Sequence, residues 1–508
     1  LLVVRAGALA ARRVRHAPWL SWVVPALVFV AVQVYLASNV TTIEYDEAIF
    51  LNVAANVGDG SGLVRSLSGE AFFLEHTPLY PLLLGGIAAA FGSSVAMFRS
   101  ISAVAGLAGV MLVYSAVAHR ASPFAGTVAA LLVALSPIWT IFSYIIYMEI
   151  FMASAIVCGA YFLGRDLSSM RNWWYAGLAT AVAVMFKELA LVFLGVAGVF
   201  ALSLPGSGRL RLARGVAIGA PTTLALVVWL LWANSVAPER LRDVLGRWTG
   251  SMSGGAESVR TGVSQSDWTG VVAITVCGLA LLLMFGVGSI LLATRPDRRS
   301  PFALLLGSYV VAAVGASFLI SLKEPRHLIA VVPVAAMFVG VVIDWDAVIR
   351  AAAANRLRLV TGVAVAAGVV ALVIPTRLGG SVGAEPAGWN HVEWETRLNA
   401  EPAIYSEYSE VGQFLNRTMD RSETVAVVRA GPVVAYYAQR EYIILYYAEL
   451  DEILSSMDGA EFVVEDGSTF RNVSPEQTAA LMSKLDREFT VAARFETDTR
   501  PILVHQRR

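Results

Sequence analysis

Up to Pro375, long apolar runs separated by short polar breaks dominate the chain. A helix needs about 20 apolar residues to cross the hydrocarbon core of a bilayer. Eleven runs come near that length: 19–38, 95–118, 123–142, 149–164, 173–186, 189–204, 215–236, 269–293, 301–322, 328–345 and 359–375. The stretch 172–204 is too long for one span, and Lys187-Glu188 interrupts it, so it reads as two short helices meeting at a membrane face. The first run is flanked as a signal peptide would be. It exceeds the usual signal core of about 7–15 residues, however, and an uncleaved span is expected.

Two polar connections stand out. Residues 39–94 contain two amphipathic pieces, 45–57 and 78–92, too short or too polar to span, which read as helices lying along the membrane surface. Residues 237–268 form a second long loop with Gly254-Gly255. No internal repeat is present in the sequence. After Pro375 the pattern changes. Segment 376–403, with several Gly and Pro, reads as a linker. Beyond it a helix 405–418, strand 424–429, helix 432–439, strand 441–446, helix 449–457, strand 461–465, helix 474–487 and strands 489–495 and 501–505 predict a small α/β domain. The expected architecture is thus mostly α: a polytopic membrane helix bundle (1–375), a linker (376–403) and a soluble α/β domain (404–508).

Composition agrees with a membrane body. Of the 508 residues, 57% are hydrophobic and only 15% charged, against roughly 25% charged in soluble domains, and the mean hydropathy is +0.65. This excludes a nucleic-acid-binding protein, a disordered chain and a disulfide scaffold. The two cysteines, Cys158 and Cys277, lie inside apolar runs and read as small buried residues. The formal net charge of zero hides two unlike parts. Residues 1–375 hold 25 Lys and Arg against 17 acids, and residues 376–508 hold 13 against 21.

The basic residues orient the body, because cytoplasmic loops are enriched in Lys and Arg. Arg5, Arg12, Arg13 and Arg15 place the N-terminus inside, and alternation then puts 16 of the 25 basic residues inside and 13 of the 17 acids outside. The α/β domain is expected on the outer side, in a multi-pass protein of the cell membrane.

Charges at span ends are costly and therefore mark candidate chemistry. There are only three lysines, Lys187, Lys323 and Lys484, against 35 arginines. Two of them fall at outer span ends, in Phe186-Lys187-Glu188 and Lys323-Glu324-Pro325-Arg326-His327. Snorkelling interfacial anchors are the bland alternative. The first outer loop offers Glu44-Tyr45-Asp46-Glu47 at the start of an amphipathic stretch, then Glu75-His76-Thr77-Pro78, whose proline suits a helix start. A solvated acidic patch would explain the first group equally simply. Glu149 is the sole charge between Pro137 and Gly164; it would also complement a helix dipole. Taken together, Asp46, Glu47, His76, Glu149, Lys187, Glu188, Arg326 and His327 are expected on one membrane face. There a carboxylate can take a proton from an acceptor hydroxyl, and cations can neutralise a phosphate leaving group whose lipid tail stays in the bilayer.

At these residues the chain resembles the GT-C class of polytopic glycosyltransferases, and most of all the protein-O-mannosyltransferase group (glycosyltransferase family 39) with its aminoarabinose transferase relatives. The resemblance rests on Asp46-Glu47, on His76-Thr77-Pro78-Leu79-Tyr80-Pro81-Leu82, on Phe91-Gly92 with Arg99, on Ser136-Pro137 and Glu149, and on Phe186-Lys187-Glu188 and Pro325-Arg326-His327. It implies transfer of a sugar from a polyprenyl-phosphate carrier to a hydroxyl of protein, lipid or polysaccharide in the cell envelope, on the extracytoplasmic face, with inversion. By position, Asp46 would be the general base and Glu47 would orient it, with Tyr45 beside them. Glu149 would be a second catalytic acid, and Lys187, Arg326 and His327 would bind the donor phosphate. His76 and Glu188 are further site candidates. Two departures are visible: Thr77-Pro78 replaces a pair of prolines, and Arg326-His327 replaces Arg-Tyr. Oligosaccharyltransferase relatives hold a divalent ion with acids in equivalent loops. Asp46 and Glu149 would be its ligands here, but no cofactor or metal is the expectation.

Two other function classes remain open at this level. A transporter or lipid flippase would bury acids near the midplane in repeated halves. A membrane-anchored binding protein would place its function in the outer domain alone.

Overall fold

The computed structural model describes residues 20–39, 43, 45–64, 72–246, 279–294, 300–318, 325–343, 345, 408–420, 422–428, 431–444, 450–465, 474–496 and 501–508. The expected span 359–375, the linker 376–403, Glu44, Lys323, Glu324 and Cys277 lie outside them. In chain order the helices begin with α1 (Leu20–Asn39), α2 (Tyr45–Gly58), α3 (Leu79–Phe91), α4 (Val95–Arg120), α5 (Pro123–Ala134), α6 (Pro137–Tyr144), α7 (Met148–Arg165) and α8 (Met170–Phe186). A 3₁₀ turn, Glu188–Ala190, precedes α9 (Leu191–Ser203) and α10 (Gly208–Val236). Helix α11 covers 238–246. Then come α12 (Leu279–Thr294), α13 (Pro301–Phe318), a 3₁₀ turn Pro325–Leu328 and α14 (Val331–Val342). The chain divides into two compact units.

The first unit takes in residues 1–38, 74–80 and 99–393. Four described helices, α1, α4, α7 and α10, are long and apolar enough to cross a bilayer, and the chain is a multi-pass membrane protein. The run 123–142 predicts one span. Instead the chain breaks between α5 and α6 and turns by 64°. The cause is local: Pro137 disfavours helical backbone at Ser136, which is extended at ψ 121°. The expected spans 189–204 and 328–345 contain shorter helices, α9 and α14. Ser122 and Ser207 cap α5 and α10 by accepting the amides of Ala125 and Leu210.

Small residues let these helices approach, as expected where lipid removes the hydrophobic drive between them. A Cβ on Gly177 of α8 would lie 2.0 Å from the Ala217 carbonyl oxygen of α10. Gly159 of α7 faces Phe193 and the Ala176 carbonyl. Trp139 donates its indole N–H to the Gly106 carbonyl at 3.2 Å, and Ser154 donates to Ala105 O at 2.8 Å. Helix α7 is buried on nearly every side, whereas α1 and α10 expose Leu27, Val34, Leu224 and Leu231. Cys158 is a half-buried free thiol in α7.

The second unit takes in residues 39–73, 81–98 and 394–508. Its α/β part follows the predicted order closely. Helix α15 covers 408–418. It is followed by β1 (Thr424–Val427), α16 (Gly431–Ala438), β2 (Glu441–Ile444), α17 (Leu450–Gly459), β3 (Phe462–Glu465), α18 (Pro475–Glu488), β4 (Phe489–Phe495) and β5 (Ile502–Arg507). The sheet order is β2-β1-β3-β5-β4, with β1 parallel to β2 and β3, and β5 antiparallel to β3 and β4. Central β1 is a continuous apolar run, as suits a strand covered on both faces. Ala426, Val463, Ile453, Met457, Leu481, Leu485 and Phe489 form one core under α17 and α18. Ser474 and Gln477 close a capping box that starts α18.

Helix α2 belongs to this second unit. Its Val57 fits so closely against α3 that a Cβ on Gly85 would come within 2.1 Å of Val57 Cγ1. Phe50 meets Phe73 edge to face at 6.0 Å, and Asn56 donates to Val64 O at 3.0 Å.

Candidate active site

Three breaks in regular structure bring charge together in the first unit. Helix α8 stops at Phe186 because Lys187 adopts extended backbone, φ −157°. Helix α7 starts after Tyr147, also extended, so Glu149 falls in its first turn, where a carboxylate complements the helix dipole. The short link between α7 and α8 makes them antiparallel, which returns Lys187 to the Glu149 end. The third break, the turn Pro325–Leu328, supplies Arg326 and His327.

Lys187 Nζ donates to Glu149 Oε1 in an ion pair, and Arg326 Nε lies 3.8 Å from the same oxygen. Lys187 is 4% exposed and Glu149 is fully buried. Arg326 also stacks over the Tyr147 ring at 5.6 Å. Burying such charges costs several kcal/mol per ion unless they are paired, so each holds the others in place. Two cations on one carboxylate leave a surplus of one positive charge. The other carboxylate oxygen, Glu149 Oε2, is buried without a hydrogen-bond donor.

Beside this cluster His76 Nδ1 sits 3.4 Å from Glu188 Oε1. Thr77 Oγ1 donates to the Val184 carbonyl at 2.9 Å, tying the loop to the last turn of α8. Glu75 pairs with Arg240 of α11. Tyr80, Phe151 and Phe186 form an aromatic row with ring centroids 5.3 Å apart at each step. Arg99 NH1 donates to the Tyr144 hydroxyl at 3.0 Å. Among the described residues, no group of three His, Cys, Asp or Glu side chains is placed to hold a metal ion.

At this site, His327 and Glu188, both outside the spans, have displaced proton affinities. Burial first, then the Lys187 and Arg326 cations, push the His327 imidazole down to about 3 against the pull of Glu149 and Glu188. The ring is therefore held neutral at physiological pH. At Glu188 burial acts upward, but the charge and hydrogen bond of His76, then Lys187, more than reverse it and lower the carboxyl. A lowered carboxyl stabilises the fold above its unfolded value of about 4.3, and that contribution is lost as pH falls through the lower folded value. Thermal midpoints in detergent should therefore fall more steeply below about pH 4.3 for the wild type than for Glu188→Gln. Parallel curves would show that the pair contributes nothing.

Of the sequence candidates, His76, Glu149, Lys187, Glu188, Arg326 and His327 all lie in the first unit. Lys187 and Glu188, adjacent in the chain, take different partners: Lys187 pairs with Glu149, and Glu188 lies against His76. Asp46 and Glu47 lie in the second unit, in the first turn of α2, with Glu47 fully buried. Tyr45 is the first residue of that helix. Tyr147, Arg240 and the Arg99–Tyr144 contact were missed. Only the position of Tyr147, two residues before the lone acid, signals it in the sequence.

Residues 75–232 match the model of the family described as dolichyl-phosphate-mannose-protein mannosyltransferase. No curated protein matches the sequence significantly. Among solved structures, ArnT from Cupriavidus metallidurans bound to undecaprenyl phosphate aligns with TM-score 0.65 and 15% identity, over 96% of this chain and 98% of that one. The same protein in the apo state gives TM-score 0.66 at 14% identity, with the same coverage. The archaeal oligosaccharyltransferase AglB from Archaeoglobus fulgidus, in complex with an inhibitory peptide and a dolichol-phosphate, gives 0.54 at 12%, over 88% of this chain and 69% of that one. The chain has the fold of the polytopic GT-C glycosyltransferases and, over residues 75–232, resembles the dolichyl-phosphate-mannose-protein mannosyltransferase family.

Proposed function

We propose that this protein is a membrane glycosyltransferase that moves a hexosyl or pentosyl group from a polyprenyl-phosphate donor to a hydroxyl acceptor of the cell envelope. The buried Lys187–Glu149–Arg326 cluster carries the reading. It joins a buried lysine and a half-buried arginine to one buried carboxylate, with one surplus positive charge among the three, at the end of an apolar helix. That suits a phosphate whose lipid chain remains in the bilayer. The fold shared with ArnT and AglB, whose structures hold undecaprenyl phosphate and dolichol-phosphate, supports the same donor class.

Lys187 and Arg326 receive the donor phosphate, with His327 contributing a neutral ring. Glu149 acts as the counter-ion that holds the two cations apart and oriented until the phosphate arrives, because one of its oxygens already serves both. Asp46 takes the acceptor proton and Glu47 orients it, an assignment that rests on their place in the motif after the first span. The acceptor oxygen bonds to the anomeric carbon, the bond from that carbon to the phosphate oxygen breaks, and polyprenyl phosphate leaves with the electron pair. In-line attack inverts the anomeric centre. The excess of Arg on one set of loops supports an extracytoplasmic site.

The test is reconstitution of the full chain in proteoliposomes with a polyprenyl-phosphate-linked sugar and an envelope-lipid or peptide acceptor. The expected result is acceptor-dependent release of polyprenyl phosphate together with a glycosylated acceptor. Movement of intact donor across the bilayer without any cleavage would replace this reading with a lipid flippase.

A further inference from the structure

The role of the α/β domain is not explained by the cation cluster, yet that domain holds the helix on which Asp46 sits. Helix α16 packs on α2 within the second unit. Asn52, 4% exposed, donates its side-chain amide to the Pro432 carbonyl at 3.3 Å, a hydrogen bond between residues 380 apart in the chain. A buried amide is costly to leave unpaired, so it selects one docking geometry. Helix α16 is also tightly constrained by α15. A Cβ on Gly412 of α15 would come within 2.6 Å of Tyr437 Cβ and 2.8 Å of the Val434 carbonyl. Helix α16 is thus held by both α15 and α2. It also follows β1, and β1 lies between parallel strands β2 and β3. In open α/β sheets ligands bind outside the carboxyl ends of the strands, where the strand order reverses. Here the start of α16, just past the carboxyl end of β1, meets the chain's own helix α2.

We propose that the α/β domain serves as the clamp that fixes α2, and that Asn52 is a positioning residue for the base on it. This rests on the assignment of Asp46 as that base. Asn52 lies six residues beyond Asp46, about 9 Å along the helix axis at the usual rise, so it acts through the helix and not by touching the substrate. Displacement of a reacting group by about 1 Å can cost roughly 100-fold in rate.

The experiment compares Asn52→Leu, Asn52→Gln and Gly412→Ala in the full-length protein, with kcat expressed per folded molecule and donor KM measured in parallel. Asn52→Leu should lower kcat about 10- to 100-fold at unchanged donor KM. Asn52→Gln, which keeps a donating amide, should recover most of it. Gly412→Ala, which displaces α16 through its contact with α15, should lower kcat in the same way. Unchanged kcat per folded molecule in both Asn52→Leu and Gly412→Ala, beside an inactive Asp46→Asn, overturns the clamp and leaves the transferase reading standing. Full activity in Asp46→Asn removes Asp46 as the base and with it the positioning role of Asn52, while the transferase reading stands.

Discussion

Lys187→Met is expected to abolish donor binding and to destabilise the protein at the same time. The substitution removes one of two cations from the fully buried Glu149 and leaves the carboxylate with Arg326 alone, 3.8 Å away. Breaking a buried ion pair from one side typically costs about 3–5 kcal/mol, because an uncompensated charge remains. The double variant Lys187→Met/Glu149→Gln removes that charge and should return the thermal midpoint close to the wild-type value. It should remain unable to bind the donor. Glu149→Gln alone frees both cations and should keep donor affinity at or above the wild-type level, as a counter-ion role requires. The measurement pairs thermal midpoints in detergent with donor-lipid titrations. Wild-type donor affinity in Lys187→Met would remove the phosphate assignment, and wild-type affinity with lost kcat in Glu149→Gln would make Glu149 a catalytic acid instead.

Asp46→Asn should lower the transfer rate by about 100- to 10,000-fold, the usual contribution of a positioned general base, with donor binding and thermal midpoint unchanged. The side chain is nearly isosteric and only half-buried at the start of α2, so the fold loses little. The outcome separates two kinds of residue. Loss of kcat at constant donor KM marks a group acting in the transition state, whereas loss of binding marks part of the phosphate site. A variant that still transfers at the wild-type rate would dismiss Asp46 as the base.

Much of the helical plan was legible because each element carries its own signal. Apolar runs marked α1, α4, α7 and α10, and Pro78 and Pro123 sit at or just before helix starts. Alternating strand and helix patterns located the α/β domain to within a few residues throughout its described part. The bend within 123–142 is instructive. Hydropathy sums over a window, and Ser136-Pro137 is too short an interruption to lower the sum, although it is enough to turn the backbone by 64°. The candidate residues were found for a related reason. A charge in an apolar run is rare enough to be noticed without knowing its partner. The partners themselves were not legible. Lys187 and Glu149 are 38 positions apart, Glu75 and Arg240 are 165 apart, and nothing in either local sequence names the other.

By itself the sequence determined the order of the elements, the contrast between an apolar helical part and a C-terminal α/β part, and which charged side chains stood out within apolar runs. These are properties of single segments, set by transfer free energy and backbone preference. Only the tertiary structure decided that Glu149 is shared by Lys187 and Arg326, that Glu188 faces His76 rather than Lys187, and that α16 of the C-terminal domain grips α2 through Asn52. Each is a contact between distant segments, chosen because a buried charge or amide must find a partner wherever the packed helices place one.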